Sequence, residues 1–492
     1  MKPIQIPLLS MAIGALLALG APFASATNYE WNKGSLGNWN DAANWLPNTG
    51  TPGNADSVVT PAQFGGIALN IAAPQVTNWT FDSATSQNVL ASGANATLTI
   101  SDTLSKSEAG TLNFYKGASN TLDMSVGSVS VGAGRLSFGV RNNASNVLNS
   151  FSGTSADISG GALDFNVTGS AAISGTVTMS GGGMYLSQLS AATRTVSVGA
   201  LSGAAGTVAA NDFGNGTNSS GTLALTASSG TATFAGQLKD SGSTSAASSL
   251  ALQKNNGGTQ IFSGNSNTYS GGTVVNAGTL LVNNTSGSGL GTGAVSVAGG
   301  NLGGTGFINP GGANGITVAS GAFLAPGASI GKLTIGMLGT TGTVDLTAGG
   351  DFKFELGTAN VSIGTITPGS SDLLEIAGAS AGDVAFGGGN NIDLLGTATA
   401  EGYYKLFDTS LDTTTWTGLT VGGITTGGNL ITGGLTASNY GGGLSGELIL
   451  GDGTAGTSAG DIYLHVVPEP ATWGLLAFSL TTVLVLRRRR QG

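Results

Sequence analysis

Three sets of residues in this chain carry the types and spacings that chemistry needs. Gly456-Thr457-Ser458-Ala459-Gly460 satisfies the G-x-S-x-G pattern of a serine nucleophile, and Asp461 and His465 follow in the order acid, then base. Acyl transfer by such a triad needs the serine on a strained strand-to-helix turn, with acid and base arriving from distant loops. Here all three sit in one short Gly/Ser-rich segment that reads as a linker, so the match is rejected. Gly289-Leu290-Gly291-Thr292-Gly293-Ala294 fits a dinucleotide fingerprint, but no helix pattern follows whose N-terminus could hold a pyrophosphate. The third set is the carboxylates Asp351, Glu355, Asp372 and Glu375. Paired carboxylates in a groove, or calcium with a basic residue, are the equipment of polysaccharide hydrolases and lyases. Alternation on half-exposed strands accounts for them equally well, and a calcium-type Gly/Asp nonapeptide is missing. Two or three carboxylates converging in one groove would overturn a structural reading in favour of an enzyme.

The rest of the inventory is poor in chemistry. The chain has 492 residues, a single histidine and no cysteine. Thiol nucleophiles, disulfides and Cys or His metal clusters are therefore excluded. No catalytic, cofactor-binding or metal-binding residue is assigned, and no cofactor is expected. The net charge is −9, and the body between the two ends of the chain lacks basic runs, which argues against nucleic acid as a partner.

The elements that would have to position any site are read from composition and period. Charged residues are only 8% and apolar residues 40%, while glycine occupies 85 positions. That apolar content excludes a disordered acidic chain, and the lack of a three-residue period excludes collagen. No amphipathic helical stretch is present from Thr27 to His465; apolar residues come in twos and threes between Gly, Asn, Ser and Thr, the signature of short strands and turns. A phrase apolar-x-x-Gly-x-apolar recurs. It reads Val131, Gly134, Leu136; Ile158, Gly161, Leu163; Met179, Gly182, Met184; then Val275, Gly278, Leu280; Val297, Gly300, Leu302; and Val318, Gly321, Phe323-Leu324. A recurrence of about 21 residues fits one coil of a solenoid whose rungs cannot bury their apolar side alone. The expected fold is all-β, an elongated right-handed parallel β-helix with glycines at its corners. Antiparallel β-sandwiches are the competing architecture.

Both ends read as addresses. Lys2, an apolar run and Ala24-Ser25-Ala26 as an A-x-A cleavage site make residues 1–26 a secretory signal peptide. At the other end, Pro468-Glu469-Pro470 precedes the apolar run 471–486 and then Arg487, Arg488, Arg489 and Arg490. As a helix that run reaches roughly 24 Å, a short transmembrane segment that snorkelling arginines complete. The arginines act as the membrane stop on the cytoplasmic side.

Motif, span, arginines and terminal position together resemble the PEP-CTERM sorting signal of Gram-negative bacteria. The resemblance covers 467–492 and implies an exosortase-type processing protease as a partner, transient membrane anchoring through the helix, and passage of the body to the cell surface. Residues 252–336 resemble the autotransporter-associated β-strand repeat, through Phe262-Ser263-Gly264-Asn265, Thr268-Tyr269-Ser270-Gly271-Gly272-Thr273-Val274-Val275-Asn276-Ala277-Gly278-Thr279-Leu280, Leu290-Gly291-Thr292-Gly293, Leu302-Gly303-Gly304-Thr305-Gly306 and Ala325-Pro326-Gly327. That family implies a surface passenger, although no membrane β-barrel follows here. The expected organisation is therefore signal peptide 1–26, Trp-rich cap 27–60, rod 61–350, β region and linker 351–466, and sorting signal 467–492. Trp31, Trp39 and Trp45 would close the first coil rather than stack on a sugar. The expected function is a secreted surface or matrix protein, structural or adhesive, associated with exopolysaccharide or other surface glycans. The alternative is a β-helical carbohydrate-active enzyme.

Overall fold

The computed structural model describes residues 26–468, apart from short internal stretches of which the longest are 360–370, 418–429 and 432–443. Among the described residues the chain is all-β, with a single 3-10 turn at Ala42–Asn44. It is a parallel β-solenoid. One face is an 18-stranded sheet that runs from Asn28–Trp31 to Trp416–Thr417. A nine-stranded sheet backs its N-terminal part, and two seven-stranded sheets take over from Thr231–Phe234 onward. The parallel ladders run on past residue 350, through Asp351–Glu355, Leu373–Ala377 and Ile392–Leu395, before antiparallel pairing begins.

The repeated phrase sets the register. Val131 stacks on Ile158 and Ile158 on Met179, while Leu136 stacks on Leu163 and Leu163 on Met184. In the second series Val275, Val297 and Val318 are aligned, and so are Leu280, Leu302 and Leu324. All of these side chains are fully buried. The glycine between them makes the corner. Gly134, Gly182, Gly278, Gly300 and Gly321 have φ of +66°, +64°, +71°, +73° and +77°, a region that a side chain enters at a cost. The carbonyl of one corner receives the next coil: Asn301 N–H donates to Gly278 O at 2.8 Å. A Cβ on Gly300 would lie 2.3 Å from that same oxygen, whereas one on Gly321 would meet nothing within 4 Å.

Two charged residues stand in the buried ladder. Lys106 and Lys254 occupy the rung positions of Val131 and Val275 and are each 1% exposed. Their ammonium groups turn back into the corners. Lys254 Nζ donates to the carbonyls of Asn255 at 2.9 Å, Asn256 at 2.8 Å and Ala277 at 3.3 Å, and Lys106 Nζ to those of Ser83 and Glu108. Burial pulls both lysines below their usual pKa. The corner beside Lys254 turns on Asn256, at φ +58°, in place of glycine.

At the N-terminal end the core is aromatic. Trp45 meets Trp31 at 4.8 Å and Trp39 at 5.1 Å, and Trp39 meets Trp79 at 5.3 Å. The contacts continue through Phe81, Phe114 and Phe138 to Phe165. Trp31, Trp39 and Trp45 are at most 1% exposed, so none presents a face for stacking on a ligand.

The segment read as a linker is instead a strand. Ile462–Pro468 pairs antiparallel with Gly402–Thr409 on one side and Leu444–Leu450 on the other. Asp461, 0% exposed, immediately precedes it. Its carboxylate lies 2.7 Å from Lys405 Nζ and accepts the Thr409 N–H at 2.8 Å. Sequence reading missed this because the partners lie far apart in the chain and the Gly/Ser-rich run before Asp461 looks like spacer.

Two outcomes follow for stability. Gly300→Ala combines backbone strain with a collision and should cost more than Gly321→Ala, whose penalty is the φ strain alone, about 1–3 kcal/mol; urea midpoints of the two variants compare them. Lys405→Met leaves Asp461 buried without its cation and should cost about 3–5 kcal/mol. Hydrogen exchange should locate the loss in Ile462–Pro468.

Candidate functional site

The strand Asp351–Glu355 shows how this fold presents polar groups. Phe352 and Phe354 point inward and meet the Phe407 ring at 4.9 Å and 5.1 Å. The two-residue period of a strand then turns Asp351, Lys353 and Glu355 outward. On the coils before it, the same outer face carries a polar row in which Thr231, Thr259, Thr279 and Asn301 are aligned rung on rung. Beside that row lie Ile261 and Leu281, paired across adjacent strands. Lys353 reaches back along the face, with Nζ 3.5 Å from the Phe323 ring centroid and 3.4 Å from Asn301 Oδ1.

This face is the floor of a groove of about 550 Å³. One wall is the segment 326–329, and Glu355, Asp372 and Leu395 close the end. Asp372 fixes that wall. Its Oδ1 accepts the Gly331 N–H at 2.9 Å and its Oδ2 the Glu355 N–H at 2.7 Å. Gly327, at φ +81°, passes so close that a Cβ there would lie 2.4 Å from Asp372 Oδ1. Burial pushes the Asp372 carboxyl up to about 7, against the two N–H donors that favour its charge; nearby Glu355 adds to the rise. The Glu355 side chain is half-buried and makes no hydrogen bond or ion pair among the described residues.

Of the four carboxylates singled out in the sequence, the structure brings Glu355 and Asp372 to one groove. Glu375 lies in a different sheet, where its Oε2 is 2.7 Å from both Lys332 Nζ and Thr334 Oγ1. Burial opposes the charge on Glu375, but Lys332 and Thr334 hold its pKa below the usual value. Asp351 starts the outward strand and does not line the groove. Lys353 and Asn301 belong to the groove and were not marked by the sequence; the only signal was the alternation of Phe352 and Phe354, which sets the facing of Lys353 but not its neighbours.

In the hydrolase-like motif the Tyr463 hydroxyl accepts the Ser458 N–H at 3.2 Å and donates to Asp461 Oδ2 at 3.2 Å. Asp461 is also bound to Lys405, and the His465 ring lies flat on Tyr403 at 4.1 Å. The fingerprint-like Gly289–Ala294 stretch is a turn between strands, with no helix after it. Among the described residues no group of three or more His, Asp or Glu is placed to hold a metal.

Of the address residues, Ala26 is the first described residue and exposed, while Ala24 lies outside the described residues. Pro468 ends the last strand, opposite Leu444. Glu469, Pro470, the apolar run and Arg487, Arg488, Arg489 and Arg490 also lie outside them. No helix among the described residues is long and apolar enough to cross a membrane.

The passenger-associated-transport-repeat family matches residues 252–282. These residues form the coils of Ser249–Lys254, Thr259–Phe262, Thr273–Val275 and Thr279–Val282, and they supply part of the groove floor. The chain is thus a parallel β-solenoid with an autotransporter-associated repeat, which points to a secreted or surface protein. No curated protein matches it.

The state of Asp372 can be tested through stability. A carboxyl whose pKa rises from 3.8 to about 7 on folding contributes stability that is fully present below about pH 4 and lost as pH rises through about 7. Urea denaturation at intervals from about pH 4 to about pH 8 should show that loss in the wild type. The wild type minus Asp372→Asn difference should carry it.

Proposed function

We propose that this protein is a secreted, sorted rod of the cell surface or extracellular matrix, with structural or adhesive work on exopolysaccharide or other surface glycans. The observation that carries the reading is the regular parallel solenoid containing a passenger-associated-transport repeat at 252–282. A continuous ladder resists bending, and it repeats the same outward chemistry from coil to coil. Thr103, Ser128 and Ser155 are stacked on the long face as Thr231, Thr259 and Thr279 are on the other. Each such group offers one weak hydrogen bond, and a polymer that meets many at once is held by avidity.

Glu355 and Asp372 meet in this groove, the arrangement expected of an enzyme, but their environment suits binding rather than cleavage. A general acid must present its proton to the glycosidic oxygen. Asp372 is 3% exposed and gives both oxygens to backbone N–H groups, so its position serves the wall.

Sorting completes the proposal. An exosortase-type protease acts at Pro468-Glu469-Pro470 while 471–486 and the four arginines hold the chain in the membrane. Because Pro468 belongs to the last strand, the informative truncation ends the chain at Pro468 and leaves the folded body whole. In cells the full chain should be shortened and reach the surface, while the truncated chain is neither processed nor retained there. Identical processing and location of the two would remove the sorting claim, and a body recovered from the cytoplasm would remove the surface reading.

A further inference from the structure

The groove beside Glu355 combines features that point to one class of ligand. Its floor is half apolar, from Ile261 and Leu281, and its end carries Leu395, which at 42% exposure is one of the few large apolar side chains left in solvent among the described residues. Along the other half run Thr231, Thr259, Thr279 and Asn301 at the strand spacing of about 4.8 Å. That step is close to the length of one pyranose unit in an extended, β-1,4-linked chain. An axial glycan would therefore meet one polar side chain per sugar, with its C–H faces against the leucines and isoleucine. Glu355 supplies an acceptor that makes no hydrogen bond or ion pair among the described residues, and Lys353, held over Phe323, supplies a donor.

Other ligands fit less well. The carboxylate of Glu355, on a chain of net charge −9, disfavours an acidic polymer. A peptide bound as an added strand needs a free sheet edge, and the floor strands Thr259–Phe262, Thr279–Val282 and Gly300–Gly304 are paired on both sides. A volume of about 550 Å³ is in the range of sites for small organic ligands.

We propose that this groove binds a neutral, extended glycan laid along the solenoid axis, with the Glu355 carboxylate accepting from ring hydroxyls and the threonine row setting one sugar per coil. The proposal rests on the reading of the chain as a surface protein that meets glycans, and it gives that reading a location and a sugar class.

The test is calorimetric titration of the full-length chain, kept in a detergent without sugar headgroups, with cellohexaose, maltohexaose and hexagalacturonate. Cellohexaose should saturate with a Kd of roughly 1 mM or tighter. The coiled maltohexaose and the anionic hexagalacturonate should bind at least about tenfold more weakly. Glu355→Ala should weaken cellohexaose about tenfold or more, as the loss of a hydrogen bond to a charged group predicts. Thr279→Arg should block the floor, while Ser35→Arg, at an exposed position near the N-terminal end, should leave affinity unchanged. Circular dichroism and urea midpoints of the variants establish that they fold. The proposal is overturned if cellohexaose does not saturate, if hexagalacturonate binds as tightly, or if folded Thr279→Arg binds like wild type. A surface protein with an unreceptive groove would sink this inference alone. A receptive groove on a chain that never leaves the cytoplasm would sink the surface reading alone.

Discussion

Parallel pairing in constant register is the interaction on which everything else depends. Each coil donates and accepts backbone hydrogen bonds with the coil before and after it, so a residue at one rung position must tolerate the same neighbours as its counterparts above and below. Inward positions then become continuous apolar columns, such as Val275, Val297 and Val318. The corner becomes a column as well, and there the backbone comes too close for a side chain: a Cβ on Gly300 would press on Gly278 O. The high glycine content and the scarcity of charge are two consequences of that one geometry.

Lys106 and Lys254 illustrate how a column tolerates an exception. A buried ammonium is costly unless its donors are all used. At the corners several carbonyls converge within reach of a lysine in the last inward position, so the charge is satisfied by backbone rather than by a carboxylate. The cost of burial remains visible in the lowered pKa of both groups.

A solenoid also has to end without leaving an open core or a free edge. The first coils are filled by four tryptophans packed edge to face or tilted. The last are closed by strands that reverse direction, tied by Lys405 and Asp461. Burial disfavours the Lys405 ammonium, but Asp461 and Asp408 together hold its pKa above the usual range. The closing strand runs into Pro468, so any processing there happens at the border of the folded body.

The periodic features were legible in the residues themselves. The phrase Val-x-x-Gly-x-Leu is local, and a rung that cannot bury its apolar side alone implies stacking on its repeats; hence the parallel solenoid, the apolar columns and the corner glycines could be named before any coordinates. What could not be read were relations between coils of unequal length. Glu355 and Asp372 share a groove because the Asp372 carboxylate accepts from the N–H groups of both Glu355 and Gly331, tying the outward strand to the Gly327–Gly331 wall. Lys353 reaches Asn301 across an intervening coil. Asp461, in a segment that resembles spacer, becomes buried only because Lys405 arrives from another strand. Composition and period determine a repeating ladder, since they act within one coil; the tertiary structure alone decides which outward and charged side chains meet, because register between distant coils sets their distance.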